Sequence, residues 1–286
     1  MRQILTAAAL MLGMALPAAA DPLARDVFGA FRTPSQGAAV AIGNYSQGCA
    51  QGLVQMAESG PSWQSMRLSR DRHWGHPVMI DFLQGLSRAA QQAGWQGLYI
   101  GDISQPRGGP MTSGHASHQI GLDADIWMLP PSSLQLSRQQ RENLSSVSVV
   151  AGNGTALSSH WSGAHMAIMR AAARDPRVER IFVDPVAKVA MCQAETGNRD
   201  WLRKIRPINN HDHHFHIRMN CPAGSICPTP NPIPAGDGCA EAQEWINIRI
   251  DPSRARPTPP DPDYRHPRTY RMSDLPRQCA TVASAP

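Results

Sequence analysis

Proline is distributed unevenly along this 286-residue chain, and the distribution limits where regular structure can form. Thirteen of the 25 prolines lie in residues 221–286. Proline lacks a backbone N–H donor and interrupts helices and inner strands. We therefore expect residues 221–286 to form an extended wrap with one short helix over 240–247. The sheet and the longer helices must come from the residues before it.

Hydrophobic periodicity predicts a mixed α+β domain before residue 221. The strongest helix pattern is "VMIDFLQGLSRAAQQAG" at 78–94, where apolar residues recur on one face between Pro77 and Gly94. Weaker helix patterns cover 48–58, 132–145 and 163–175. Strand patterns cover 97–103, 122–127, 179–185 and 211–219. We expect a small, mainly antiparallel sheet with helices packed on it.

The first twenty residues, "MRQILTAAALMLGMALPAAA", have the pattern of a secretory signal peptide. Arg2 precedes an apolar run, and Ala18–Ala20 form a small-residue cleavage site. The run is shorter than the about 20 apolar residues that span a bilayer, and no later stretch is apolar enough to do so. We expect cleavage to leave residues 21–286 as a single domain.

All six cysteines lie after this segment, and an even number in an exported chain indicates disulfides. No CxxC pair is present, which disfavours a thiolate zinc site. We hypothesise a local clip Cys221–Cys227, a tie between the chain ends Cys49–Cys279, and the remaining pair Cys192–Cys239.

The charge pattern argues against a nucleic-acid partner. The formal net charge is +5, but the basic residues are dispersed and form no Lys/Arg block. A weakly positive protein is suited to an anionic polymer such as a cell wall, although solubility alone also accounts for the charge.

Histidine is concentrated in two short clusters. His115 and His118 precede "LDADIW" at 122–127, and "HDHHFHIRM" at 211–219 contains four more. Alternate strand residues share a face, so His214 and His216 should point the same way, with Phe215 and Ile217 in the core. Asp123 and Asp125 should likewise share a face. If these two strands are neighbours, the four ionisable side chains converge.

Such a patch has the composition of a catalytic zinc site. Zinc in hydrolases takes three histidine or carboxylate ligands and leaves a position for water. One of Asp123 and Asp125 would then bind the metal and the other would support it; the residues alone do not choose between them. A serine nucleophile has less support, because Ser113 and Ser117 lie near the histidines but no GxSxG motif is present.

These motifs resemble a known family. "SGHASHQIGLDADIW", followed about ninety residues later by "HDHHFHIRMNCP", is similar to the penicillin-insensitive murein endopeptidases, a group related to lysostaphin-type and D-alanyl-D-alanine zinc peptidases. The similarity continues through "HWGHPVMIDFL", "RIFVDP" and the placement of the cysteines. The resemblance implies a periplasmic zinc endopeptidase that hydrolyses D-alanyl-meso-diaminopimelyl cross-links in peptidoglycan.

The resemblance also implies residue roles. It makes His118, Asp125 and His216 zinc ligands and Asp123 a supporting residue. It makes His214 a general base or transition-state stabiliser, with His211 in the same cluster. His115 is either an additional ligand or a group beside the metal.

Two other functions remain open at this point. One is a D-Ala-D-Ala carboxypeptidase or dipeptidase. The other is a non-catalytic zinc-containing module that binds cell wall, against which the presence of His211 and His214 argues.

Candidates for orienting substrate carboxylates are Arg206, Asn209, Asn210 and Arg218. For His73 and His76, packing under Trp74 is favoured over lining a groove. His160, His165 and His266 are interpreted as surface residues.

Overall fold

A computed structural model of the protein describes residues 21–228, 232–257 and 259–286. The proposed signal peptide, residues 1–20, lies outside the described residues. Within the described ranges, no helix combines the length and the apolar character needed to cross a membrane.

The described residues form eleven strands and seven α-helices. The strands are β1 (Val40–Asn44), β2 (Gln47–Gln51), β3 (Val54–Gln55), β4 (Ser59–Gly60), β5 (Trp63–Ser65), β6 (Trp74–Gly75), β7 (Leu98–Ile100), β8 (Asp123–Trp127), β9 (Val178–Val183), β10 (Ile205–Pro207) and β11 (His214–Met219). The helices are α1 (Ala24–Phe28), α2 (Pro77–Gln92), α3 (Arg138–Asn143), α4 (Gly163–Arg174), α5 (Pro185–Ala194), α6 (Cys239–Ile250) and α7 (Gln278–Ser284).

A seven-stranded sheet within the described residues has the order β10-β9-β11-β8-β7-β5-β4. Only β10–β9 and β5–β7 pair in parallel, so the sheet is mainly antiparallel. The two strands that carry the histidine and aspartate motifs, β8 and β11, are neighbours at its centre. His216 lies opposite Asp125, and Arg218 lies opposite Asp123. This confirms the predicted α+β class.

Strand alternation divides β8 and β11 between the core and the site. Phe215 and Ile217 are fully buried, as are Ala124 and Ile126 beside them, and all four belong to the main apolar core. Helices α2 and α4 contribute apolar faces to the same core and contact each other. The alternate residues of the two strands therefore project from the opposite face of the sheet, as predicted.

The helix predicted over 48–58 is wrong. Residues 40–51 instead form the β1–β2 hairpin, and 54–55 pair with β6. Gly48 and Gly52 interrupt this stretch, and glycine is among the poorest residues in a helix interior. Gly52 has φ +61, and a Cβ there would meet the carbonyl oxygens of Gly37 and Ala38. The strand predicted over 97–103 is also shorter than expected, at Leu98–Ile100.

The proline-rich segment wraps the domain. Its helix α6 spans twelve residues, longer than predicted, and the unpredicted α7 lies at the chain end. The disulfides are Cys49–Cys279, Cys192–Cys239 and Cys221–Cys227, the same pairs as hypothesised. Leu23 and Arg271 form a β-bridge, so both ends of the described chain meet.

Removal of the Cys49–Cys279 disulfide is expected to destabilise the fold. The bond joins residues 230 positions apart, and the loss in a Cys49→Ala, Cys279→Ala variant should be about 2–5 kcal/mol. Urea unfolding would measure it. The matched control removes Cys221–Cys227, which closes a separation of only 6 residues and should cost less. An equal loss in both variants would contradict the chain-entropy explanation.

Lys188 predicts a specific pH dependence of stability. The residue is fully buried, and its Nζ donates to the carbonyl oxygens of Leu202 and Asp237 at 2.7 and 2.6 Å. Burial lowers the pKa of Lys188 from 10.5 to about 7. Between these values the unfolded chain binds a proton that the folded chain does not, so stability rises with pH.

Relative to Lys188→Met, the wild-type free energy of unfolding should increase by about 1.4 kcal/mol per pH unit between those two pKa values. Denaturant unfolding at pH 7.5, 8.5 and 9.5 would measure this difference in slope. Parallel pH profiles for the two proteins would contradict the assignment of a neutral amine.

Candidate metal centre

The left-handed backbone of His118 helps to place its side chain in the site. This residue has φ +67, a conformation that non-glycine residues seldom adopt. Its backbone N–H donates to Asp123 Oδ2 at 3.0 Å, and its Nδ1 contacts the Ile103 carbonyl oxygen at 2.7 Å. These two contacts hold the ring with Nε2 directed at Asp125. The His118 ring is completely buried.

Asp125 is the point on which the histidines converge. Its Oδ1 lies 3.3 Å from His118 Nε2, 3.4 Å from His216 Nδ1 and 3.6 Å from His214 Nε2. Its Oδ2 lies 3.5 Å from His115 Nε2. Burial alone would raise the pKa of Asp125, but His214, His118 and His115 hold it well below its usual range. The carboxylate is therefore ionised.

The buried polar atoms of this cluster fit a cation. Asp125 Oδ1 and His118 Nε2 are both buried and make no hydrogen bond within the described residues. Such atoms are costly to bury without a partner. Ligand atoms of His115, His118 and Asp125 all lie within 4.8 Å of one another. Imidazole and carboxylate together are a donor set that zinc accepts.

His216 reaches the same carboxylate from β11. Its Nε2 is 2.9 Å from Asp123 Oδ1, which leaves Nδ1 facing Asp125. A histidine held by a carboxylate through one nitrogen, with the other free, has the usual arrangement of a metal ligand and its support. The other three residues predicted as ligands, His115, His118 and His216, therefore each have a ring nitrogen within 3.5 Å of the Asp125 carboxylate.

Asp123 supports the cluster through hydrogen bonds to two of its histidines. It is fully buried and accepts hydrogen bonds from the His118 backbone, His216 and Arg218 Nε, the last at 2.8 Å. Burial alone would raise the pKa of Asp123, but Arg218 and His216 hold it far below its usual range. The Arg218 guanidinium in turn lies 4.0 Å from the Tyr45 ring centroid. Arg218 therefore neutralises a buried carboxylate.

Asp102 supports His115 in a similar way, and the sequence motifs did not reveal it. Its Oδ2 lies 3.0 Å from His115 Nε2, 3.0 Å from Arg72 Nη1 and 3.1 Å from Arg70 Nη1. Burial opposes ionisation of Asp102, but the hydrogen bond from His115 and the two arginines hold its pKa below its usual range. The pair "GD" at 101–102 lies within the strand predicted over 97–103, and only the fold places Asp102 beside His115.

His211 and His214 lie close together beside the cluster. Their ring centroids are 4.8 Å apart. Burial lowers the pKa of His211 to about 4, and burial also lowers the pKa of His214. Both rings are therefore neutral near pH 7 and able to accept a proton. His213 also lines the cleft, but its Nδ1 pairs with Asp212 and its side chain is 55% exposed.

A cleft of about 390 Å³ opens onto these residues. It is lined by Arg67, Arg70, Gly101, Asp102, His115, Asp125, Trp127, Ser145, Ser146, His213 and His214. The two arginines and two serines belong to segments that carry no recognisable motif. They are separated from the histidine clusters in the sequence, so only the folded structure shows that they line the cleft.

Three of the four residues predicted to orient substrate carboxylates instead bind other side chains of the protein. Arg206 pairs with Glu241, and Arg218 pairs with Asp123. Asn209 accepts a hydrogen bond from Arg249 at 2.7 Å. Asn210 has φ +64 and lines a separate polar pocket with Asn209.

Three of the remaining histidines are structural. His73 is buried with Nε2 2.8 Å from the Met66 carbonyl oxygen, and His76 caps the start of α2. The interpretation of His165 as a surface residue is wrong. It is fully buried, with its Nε2 2.8 Å from the Met128 carbonyl oxygen and its ring 4.8 Å from that of Trp95. Its position on the inner face of α4 explains the burial.

Comparison with known proteins extends the likeness to nearly the whole chain. A family model described as penicillin-insensitive murein endopeptidase matches residues 41–284. A protein of that name from Haemophilus influenzae is 39% identical over 235 residues, covering 80% of this chain and 82% of the relative. One from Klebsiella pneumoniae is 39% identical over 250 residues, covering 86% and 89%. One from Salmonella newport is 38% identical over 256 residues, covering 87% and 88%.

Proposed function

The chain belongs to the penicillin-insensitive murein endopeptidase family, and from this membership and the site we propose that it is a zinc endopeptidase of peptidoglycan. The bond it hydrolyses is the cross-link between D-alanine and meso-diaminopimelate. The observation that carries the proposal is a pair of buried atoms, His118 Nε2 and Asp125 Oδ1, that make no hydrogen bond within the described residues, beside a cleft that Asp125 lines.

The residues that would hold zinc are His118, Asp125 and His216. His118 offers Nε2 and His216 offers Nδ1, because their other ring nitrogens contact Ile103 and Asp123. His115 stands beside them, held by Asp102, and four permanent protein ligands would close the position that water needs. We assign it the role of an adjacent group. Bound zinc would supply a Lewis acid that activates water and polarises the scissile carbonyl.

Side chains of the protein transfer the protons of the proposed hydrolysis. His214 lies at the cleft wall beside Asp125, and burial keeps its ring neutral. It accepts a proton from the attacking water and returns a proton to the leaving amine as the C–N bond breaks. The His211 ring lies beside it, with the centroids of the two rings 4.8 Å apart, and stabilises its orientation. No acyl-enzyme forms, so a β-lactam finds no serine to acylate.

Cell-wall cleavage requires export, which the predicted signal peptide would provide. We propose that residues 1–20 are removed and that residues 21–286 act in the periplasm as one domain, with the proline-rich segment as part of it. Three disulfides among the described residues suit an oxidising compartment.

Digestion of purified muropeptides by zinc-loaded protein tests the function. We expect cross-linked dimers to become monomers by mass spectrometry, and chelation to stop the reaction. Release of free D-alanine from uncross-linked stems would instead indicate a carboxypeptidase. Binding to sacculi with no cleavage would indicate a non-catalytic module.

A further inference from the structure

The cleft has a basic wall that neither the metal cluster nor proton transfer uses. Arg67 and Arg70 line it together with Asp102 and His115. They lie at either end of a short turn, in which the 3-10 helix Leu68–Arg70 is flanked by Arg67 and Asp71 with φ +58 and +51. We propose that Arg70, assisted by Arg67, binds the free carboxylate of the substrate next to the scissile amide.

The turn that carries these arginines is fastened in place. Glu142 of α3 accepts hydrogen bonds from the Ser69 backbone and hydroxyl through its carboxylate, and from Arg67 Nη1 through its carbonyl oxygen. Arg67 Nη2 also contacts Ser145 Oγ at 3.3 Å, and its guanidinium lies 5.8 Å from the Trp127 ring centroid. The arginines therefore face the cleft from a rigid support, which favours selective binding.

The Asp102 carboxylate in this wall has two guanidinium partners. Asp102 is paired with the buried Arg72, whose side chain is 7% exposed. Arg70 contacts the same carboxylate oxygen through Nη1 alone, and its side chain is 47% exposed. Two guanidinium groups, those of Arg70 and Arg72, thus share the Asp102 carboxylate, and the exposed Arg70 lines the cleft together with Arg67. An anionic group of the substrate would pair with Arg70 there.

The arginine charge lies where the proposed substrate would carry a carboxylate. The choice of this substrate rests on the proposed function. Arg70 contacts Asp102, Asp102 contacts His115, and His115 lies 3.5 Å from Asp125. In a D-alanyl-diaminopimelyl cross-link, the carbon attached to the scissile nitrogen also bears a free carboxylate. An amide seated at the metal cluster therefore carries a carboxylate beside it, and arginine binds that group through paired hydrogen bonds.

The test compares two muropeptide dimers that differ only in this carboxylate, which is free in one and amidated in the other. We expect wild-type protein to cleave the free form with a kcat/KM about tenfold higher or more, the size of a charged hydrogen bond. Arg70→Gln should lower kcat/KM for the free form about tenfold more than for the amidated form, because Arg70 also contacts Asp102 and any loss through Asp102 affects both dimers. Arg70→Lys should retain part of the preference.

Arg254→Gln is the matched control, because Arg254 has the same 47% side-chain exposure and one carboxylate partner, Glu244; its preference should equal that of wild type. Equal losses on both dimers in Arg70→Gln would show that Arg70 acts only through Asp102 and His115, and would overturn the subsite. So would wild-type protein that cleaves both dimers equally. Wild-type protein that cleaves neither dimer would overturn the proposed function, and the subsite with it.

Discussion

Replacing His118 with alanine should remove both bound zinc and muropeptide cleavage. His118 Nε2 is buried, lies 3.3 Å from Asp125 Oδ1 and makes no hydrogen bond within the described residues, so alanine would leave the proposed site one ligand short. Loss of a residue that only supports a ligand lowers metal affinity about 10–100-fold, and loss of the ligand itself should exceed that. Metal analysis after gel filtration and muropeptide digestion measure the two effects.

His160→Ala is the control for this prediction, because it removes an imidazole that is exposed and does not line the cleft. It should retain zinc and activity. His216→Ala should behave like His118→Ala, whereas His115→Ala should retain measurable zinc if His115 is an adjacent group. Stoichiometric zinc in His118→Ala would place the metal elsewhere and refute the ligand set.

Local sequence patterns predicted the centre of the sheet well, because its constraints are local. Alternation fixes which side of a strand each residue faces, so the sides taken by His214, Phe215, His216 and Ile217 followed from spacing alone. The pairing of β8 with β11, by contrast, joins residues about ninety positions apart. The sequence made that pairing plausible only through the shared chemistry of the two motifs.

Other features depended on contacts that no local pattern records. The positive φ of His118 is maintained by Asp123 and Ile103, and few histidines adopt this conformation. Asp102 joins His115 only because β7 lies beside β8. Arg67 and Arg70 reach the cleft from a turn fastened by Glu142. Residues that support a site can thus come from segments with ordinary composition, and the fold is needed to find them.

His214→Ala should retain zinc yet lose most of the turnover. His214 Nε2 is 3.6 Å from Asp125 Oδ1, the longest of the three histidine distances to that oxygen, and its side chain is 24% exposed at the cleft. Burial lowers its pKa, so the ring is neutral and ready to accept a proton near pH 7. Loss of a general base lowers kcat by about 10²–10⁴-fold.

Single-turnover cleavage of a cross-linked dimer, with metal content measured on the same sample, separates proton transfer from metal binding. His213→Ala is the adjacent comparison, since its ring pairs with Asp212 and lies mostly in solvent; its kcat should fall far less. If His214→Ala lost zinc in proportion to activity, His214 would join the ligand set, and the proton acceptor would have to be His211, whose centroid is 4.8 Å away. If zinc content and kcat were both unchanged, His214 would be neither the proton acceptor nor a zinc ligand.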